Sequence, residues 1–232
     1  MLRARSLSRL LLASLALGGW SLPAAAATNA PASNGATMQA TAKSVPTARA
    51  AHRETAVFAM GCFWSAEAAF EKQPGVISSV SGYCGGDVEH PTYEHVSEGT
   101  TGHLESVQVT FDPTKTSYEK MLDLFWHNID PTQADGMFCD QGVEYQTAIF
   151  FASDAQKRAA YASREAIDRS GVLRAPIVVE MRPAKPFRPA EEYHQDFFRK
   201  DPLRYKGHHL GCGGVATLKK IWGDAAGRPL VD

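Results

Sequence analysis

"TAVFAMGCFWSAEAAFEKQPG", residues 55–75, changes its periodicity halfway. Thr55 to Met60 form a short apolar run of strand length. From Phe63 onward the apolar residues Phe63, Ala66 and Phe70 fall on one helical face, and Pro74-Gly75 stops the helix. Cys62 stands at the junction. Free amide N–H groups and the helix dipole favour an anion there, so the position suits a thiolate nucleophile with a lowered pKa. A buried structural cysteine is the alternative reading of the same position. Two large aromatics, Phe63 and Trp64, follow at once. They fit a cysteine that reacts with something small and apolar.

Outward from this turn, "VISSVSGY" (76–83) reads as a second strand, followed by the loop "CGGDVEHPTYEHVSEGTTGH". "ESVQVTF" alternates Val107, Val109 and Phe111 as a half-buried strand does, and "SYEKMLDLFWHN" has helical spacing. After the irregular "IDPTQADGMFCDQGVE" come a strand "YQTAIFF", a helix capped by Ser153 and Gln156 and running to about Arg169, a strand "IVVEM" (177–181) and a helix "AEEYHQDFFRK". The order β-α-β-β-α-β-α-β-α predicts an α+β, two-layer α/β sandwich. It has a mixed central sheet with packed helices, a ferredoxin-like core and a long irregular C-terminal segment.

The N-terminus reads differently. Arg3, Arg5 and Arg9 precede an apolar run, Leu10–Leu22, too short to span a bilayer comfortably, and Ala24–Ala27 offer a small-residue cleavage site. Residues 1–27 are expected to be a secretory signal, with a membrane anchor as the alternative. No cysteine lies near the cleavage site, which excludes a lipoprotein anchor. Residues 28–51, without an aromatic, are an expected disordered linker, and 52–232 the folded catalytic domain. A periplasmic location follows, or secretion beyond the cell. Losing the three arginines takes the formal charge from -1 to -4, a poor balance for nucleic-acid binding. No stable membrane insertion is expected after cleavage, and a monomer suffices.

Four cysteines remain after export: Cys62, Cys84, Cys139 and Cys212. Two structural disulfides are one reading for an oxidising compartment. A domain of this length has core enough without them. "HHLGC" (208–212) offers three metal donors but no apparent fourth ligand, so no metal is expected.

"GCFW" after an apolar strand resembles the signature of the peptide methionine sulfoxide reductases of the A type. "GYCGG", "PTYEHVSEGTTGHLESVQVTFDP", "FWHNIDPTQ", "CDQGVEYQTAIF" and "PAEEYHQDFFRKDP" are similar to the family's later blocks, in the same order, over about residues 55–212. The resemblance implies attack of Cys62 on the sulfur of methionine S-sulfoxide, a cysteine sulfenic acid, and then an intramolecular disulfide recycled by a thioredoxin-like donor, with no bound cofactor. It places the acid at Glu105, although a glutamate opening an alternating strand is more often surface. Phe63 and Trp64 would wall in the substrate methyl, while Tyr93 and Tyr145 would hydrogen-bond the sulfoxide oxygen. Asp140 matches the family's site aspartate, and His194 falls in a matching block with a supporting role. Cys212, in a glycine-rich tail free to swing, is the expected resolving cysteine, with Cys139 as its rival.

The chain departs from the commoner pattern at Ser65, where glycine or a second cysteine is frequent. It departs also at Cys84, at Glu144 and Gln146 around Tyr145, and in "DGMFCD". These departures bear on the resolving route. Two other functions compete: a thiol peroxidase, which would need a cationic cradle beside Cys62, and a non-enzymatic binding module stapled by two disulfides.

Overall fold

The computed structural model describes residues 52–227. The expected signal and linker, and residues 228–232 of the expected domain, lie outside the described residues. Strand β1 (Glu54–Met60) leads into α1 (Phe63–Glu71), β2 (Val76–Cys84), the short α2 (Tyr93–Ser97), β3 (Leu104–Phe111) and α3 (Tyr118–His127). A two-residue hairpin follows, β4 (Gly136–Met137) and β5 (Asp140–Gln141). Then come β6 (Thr147–Phe151), α4 (Asp154–Ser170), β7 (Glu180–Pro183), β8 (Arg188–Pro189), α5 (Phe197–Lys200), α6 (Pro202–Gly211) and α7 (Gly214–Trp222).

Six strands form one mixed sheet in the order β7-β6-β1-β3-β2-β8, in which only the β6–β7 pair is parallel. The architecture is α+β, as expected. β1 is flanked on both edges, pairing Phe58 with Val107 of β3 and with Ile149 of β6. Its continuous apolar run reflects burial on both faces. One face carries the larger core. Phe58 stacks on Phe70 of α1 with ring centres 5.1 Å apart and packs against Phe125 of α3 at 5.5 Å. The other face holds a smaller cluster around Ala59, Cys84, Leu104 and Phe150, covered by Ala184 and Phe187.

Two expectations change. "AEEYHQDFFRK" is not one helix but a 3₁₀ turn at Glu192–His194, an extended Gln195 and the short α5. Gln195 leaves helical geometry to bond the Ser81 backbone twice, at 3.0 Å to its N–H and 2.9 Å to its carbonyl. Nor is the C-terminal segment irregular. Asp201 caps α6, accepting from the Arg204 amide at 3.1 Å, and Pro202 occupies its first turn. Helix α7 buries Leu218 and Trp222, whose Nε1 donates to the Ile129 carbonyl at 3.0 Å. The tail is docked rather than free to swing.

β1 and α1 meet through Gly61 at φ +78°, a conformation open to glycine at little cost. A Cβ there would lie 2.4 Å from Met137 Cβ. Gly61→Ala should therefore lower stability by about 2 to 4 kcal/mol in urea unfolding and slow alkylation of Cys62 at least tenfold. Wild-type values of both would show that the turn tolerates a side chain.

Candidate active site

Cys62 is the N-cap residue of α1, nearly buried and unpaired. The nearby amides of Trp64 and Ser65 favour its thiolate, as a helix N-terminus allows, although neither makes a cap hydrogen bond to the sulfur. They do not win. Burial first, then the charges of Glu105 and Asp140, push the thiol well above its ordinary value. The expected low-pKa thiolate is thus not the resting state: Cys62 is a neutral thiol. The titratable neighbours acting on it are acids, Glu105 and Asp140, the opposite of a peroxidase's cationic cradle.

Glu105 is 2% exposed, and its Oε2 accepts the Phe63 amide at 2.9 Å. Burial raises its pKa to about 8, so it is protonated near neutral pH. The reading of residue 105 as surface overlooked strand parity. Glu105, Val107, Val109 and Phe111 share one face of β3, and that face is the core.

The structure brings most of the expected site residues to this carboxyl. Tyr93 and Tyr145 share a hydrogen bond, and both hydroxyls feel the charge of Glu105 and the Cys62 sulfur. Burial raises both phenol pKa values, which keeps them protonated donors. Trp64 is half-buried, stacks on Phe197 at 3.8 Å and donates Nε1 to His194 Nδ1 at 3.0 Å. His194 is buried, its pKa lowered by burial, and it also packs on Phe63 and Tyr93. Phe63 is 1% exposed and belongs to the core, whereas Trp64 forms the reachable part of the wall.

Sequence reasoning missed Glu191, whose carboxylate accepts the Tyr93 amide and the Tyr83 hydroxyl, each at 2.8 Å. It also missed buried Glu67, held by the Ser81 hydroxyl at 2.9 Å and the Asp196 amide at 3.1 Å. Both are acids beside apolar residues in helical or turn segments, a pattern indistinguishable from surface without the tertiary fold.

The other cysteines resolve differently from expectation. Cys139 and Cys212, rivals for one role, are joined to each other across 73 residues, with Cα atoms 4.9 Å apart. Cys62 and Cys84 are free and buried, so the two-disulfide binding module does not hold. Asp140 sits between the two sulfur centres. It acts on Cys62, lies 3.8 Å from Cys212 Sγ and pairs with His208 Nε2 at 2.9 Å, and this pairing raises the His208 pKa. A cavity of about 310 Å³ under α6 and α7 is lined by both Cys62 and Cys212. At the departure from the family pattern, Ser65 Oγ lies 3.4 Å from His209 Nδ1 and so ties α1 to α6.

The raised Glu105 pKa has a measurable consequence. Between its ordinary value of 4.5 and about 8, the folded state holds a proton that the unfolded chain has released. Stability therefore falls as pH rises through that window and is unaffected below it. Relative to wild type, Glu105→Gln should gain up to about 4 kcal/mol in urea unfolding between about pH 5 and pH 9. Parallel pH profiles for the two proteins would mean that the carboxyl ionises normally.

Comparison with known proteins identifies the family of the chain. The family model described as peptide methionine sulfoxide reductase matches residues 34–226. The chain is 48% identical over 171 residues to the peptide methionine sulfoxide reductase MsrA of Bacillus licheniformis, covering 74% of this chain and 94% of the relative. The MsrA of Bacillus subtilis is 47% identical over 171 residues, 74% of this chain and 97% of its own. Among solved structures, reduced Mxr1 from Saccharomyces cerevisiae matches with a TM-score of 0.62 at 28% identity, over 67% of this chain and 89% of its own. Methionine sulfoxide reductase A of Corynebacterium diphtheriae matches with a TM-score of 0.58 at 30% identity, over 67% and 78%. The chain belongs to the peptide methionine sulfoxide reductase family.

Proposed function

We propose that this chain reduces the S-epimer of methionine sulfoxide, free or in exported proteins, with Cys62 as nucleophile and Glu105 as acid. Methionine sulfoxide reduction is the family's activity. The observation that carries the residue roles is a buried, protonated carboxyl bonded to the amide next to an unpaired cysteine. Cys62 Sγ attacks the sulfoxide sulfur as Glu105 passes its proton to the sulfoxide oxygen. The Cys62 thiol proton replaces it on Glu105, methionine leaves, and the oxygen stays on Cys62 as a sulfenic acid. Tyr93 and Tyr145 donate to the oxygen, Trp64 flanks the substrate methyl, and His194 holds Trp64 in place.

Recycling uses both remaining candidates in sequence. The Cys212 thiol attacks the sulfenic sulfur, water leaves, and a Cys62–Cys212 disulfide forms. Cys139 then attacks Cys212, which frees Cys62 as a thiol and leaves the Cys139–Cys212 disulfide. Cys139 is exposed, so a thioredoxin-like dithiol reaches this disulfide from solvent and leaves as its own disulfide. The basic start, apolar run and alanine-rich cleavage site of residues 1–27 support export to the periplasm, where such a donor would have to reside.

Fully reduced protein given excess methionine S-sulfoxide and no reductant should release about two equivalents of methionine, one ending in the Cys139–Cys212 disulfide and one in a Cys62 sulfenate. Cys139→Ser should release about one and stop as Cys62–Cys212, and Cys62→Ser should release none. Glu105→Gln should slow the first equivalent by about 10² to 10⁴. A wild-type yield of one equivalent ending in Cys62–Cys212 would remove Cys139 from the sequence, and no methionine at all would remove the activity.

A further inference from the structure

Cys139, Asp140, His208 and Cys212 offer four ligand atoms that all lie within 4.8 Å of one another. They come from two separate elements, the β4–β5 turn and the end of α6. We propose that, once the Cys139–Cys212 disulfide is reduced, these four residues form a tetrahedral zinc site, so that metal and disulfide are alternative occupants of the same two sulfurs.

The donor set fits the ion. Two thiolates, an imidazole and a carboxylate are borderline-soft, four in number and suited to zinc rather than to magnesium or calcium. Zinc bonds of about 2.0 to 2.3 Å give tetrahedral edges of about 3.3 to 3.8 Å. All three other donors already surround the Asp140 carboxylate: His208 Nε2 is 2.9 Å and Cys139 Sγ 4.0 Å from Oδ1, and Cys212 Sγ is 3.8 Å from Oδ2. Reduction lets the bonded sulfurs part, and the His208–Asp140 hydrogen bond gives way to the ion. Cys212 lies between Gly211 and Gly213, both with open space around them, so it has room to move. His208 Nδ1 is buried without a hydrogen-bond partner among the described residues, so that end of the ring is not tied in place. The "HHLGC" stretch supplies two of the donors, His208 and Cys212, and the turn supplies the other two, Cys139 and Asp140, while His209 faces Ser65 instead. Cys139 is exposed and gives the ion a way in.

The chemistry balances simply. A dithiol reductant delivers two electrons and two protons to the disulfide and leaves as its own disulfide. Zinc then displaces the two thiol protons to solvent. With its sulfurs bound to metal, the pair can neither resolve a sulfenic acid nor exchange with a donor. Free zinc would therefore stop the reduced protein after one turnover, with the Cys62 sulfenic acid unresolved, and would keep Cys139 and Cys212 protected.

Cobalt(II) added to the fully reduced chain should give intense tetrahedral visible absorption and a sulfur-to-cobalt charge-transfer band, and zinc should bleach both. The oxidised chain should give neither. His208→Ala should weaken binding at least tenfold, Cys139→Ser should remove the two-thiolate spectrum, and Cys62→Ser should leave it unchanged. Zinc should also slow alkylation of Cys139 and Cys212, mapped by mass spectrometry, while Cys62 reacts at its metal-free rate. A spectrum present in the oxidised chain, lost in Cys62→Ser, or absent from the reduced chain would overturn the site.

Discussion

A single hydrogen bond, from the Phe63 amide to the Glu105 carboxyl, joins the middle of the sheet to the first turn of α1. An amide at a helix N-terminus is free to hold an anion. Here one such amide is turned to an acid supplied by the neighbouring layer, and that acid is buried deeply enough to stay protonated. The thiol of Cys62 feels the result. Two backbone amides favour its thiolate, but burial, with the acids Glu105 and Asp140 beside it, outweighs them, so it rests as a thiol. Nucleophile and acid are thereby coupled: both hold protons at rest, and each opposes the other's ionisation. A sulfoxide needs that pairing, because its oxygen must gain a proton as sulfur is attacked.

Much of this was legible in the chain. The change of period at Gly61-Cys62 placed the nucleophile between β1 and α1, and alternation from Val107 to Phe111 placed β3. The same alternation, carried back two residues, puts Glu105 on the apolar face. What the local pattern could not supply was the sheet order. β1 lies between β3 and β6 through pairings far apart in sequence, and these bring Cys62 to Glu105 and Tyr145. Residues 190–200 show tertiary contacts overriding helical propensity, since Gln195 leaves the helix to satisfy the Ser81 backbone. The C-terminus shows the reverse error. Its glycines suggested flexibility, but Asp201-Pro202 starts a helix, and Leu218 with Trp222 anchors the next against the core.

The docked tail changes how the cysteines work. A freely swinging segment would present Cys212 to Cys62 from any direction. A helix held by Ser65, His209 and Trp222 presents it from one side, across the cavity lined by both sulfurs. Glu105, Tyr93 and Tyr145 do not line that cavity. Cys62 thus borders that cavity as well as the buried acid and its two tyrosines.

Displacement at sulfur has a fixed direction. A thiolate attacks along the line opposite the group that leaves. In the proposed reaction, an oxygen received from the sulfoxide would meet Glu105 and the two tyrosines, which can hydrogen-bond it and return a proton as it departs as water. The attacking thiol would then approach through the cavity beneath α6 and α7, which Cys62 and Cys212 both line. Asp140 and His208 sit beside Cys212 at the far end of this path. In the proposed cycle the acid and tyrosines would thus handle the oxygen and the cavity the thiol, while exposed Cys139 would let an outside dithiol deliver its two electrons to the disulfide without entering the site.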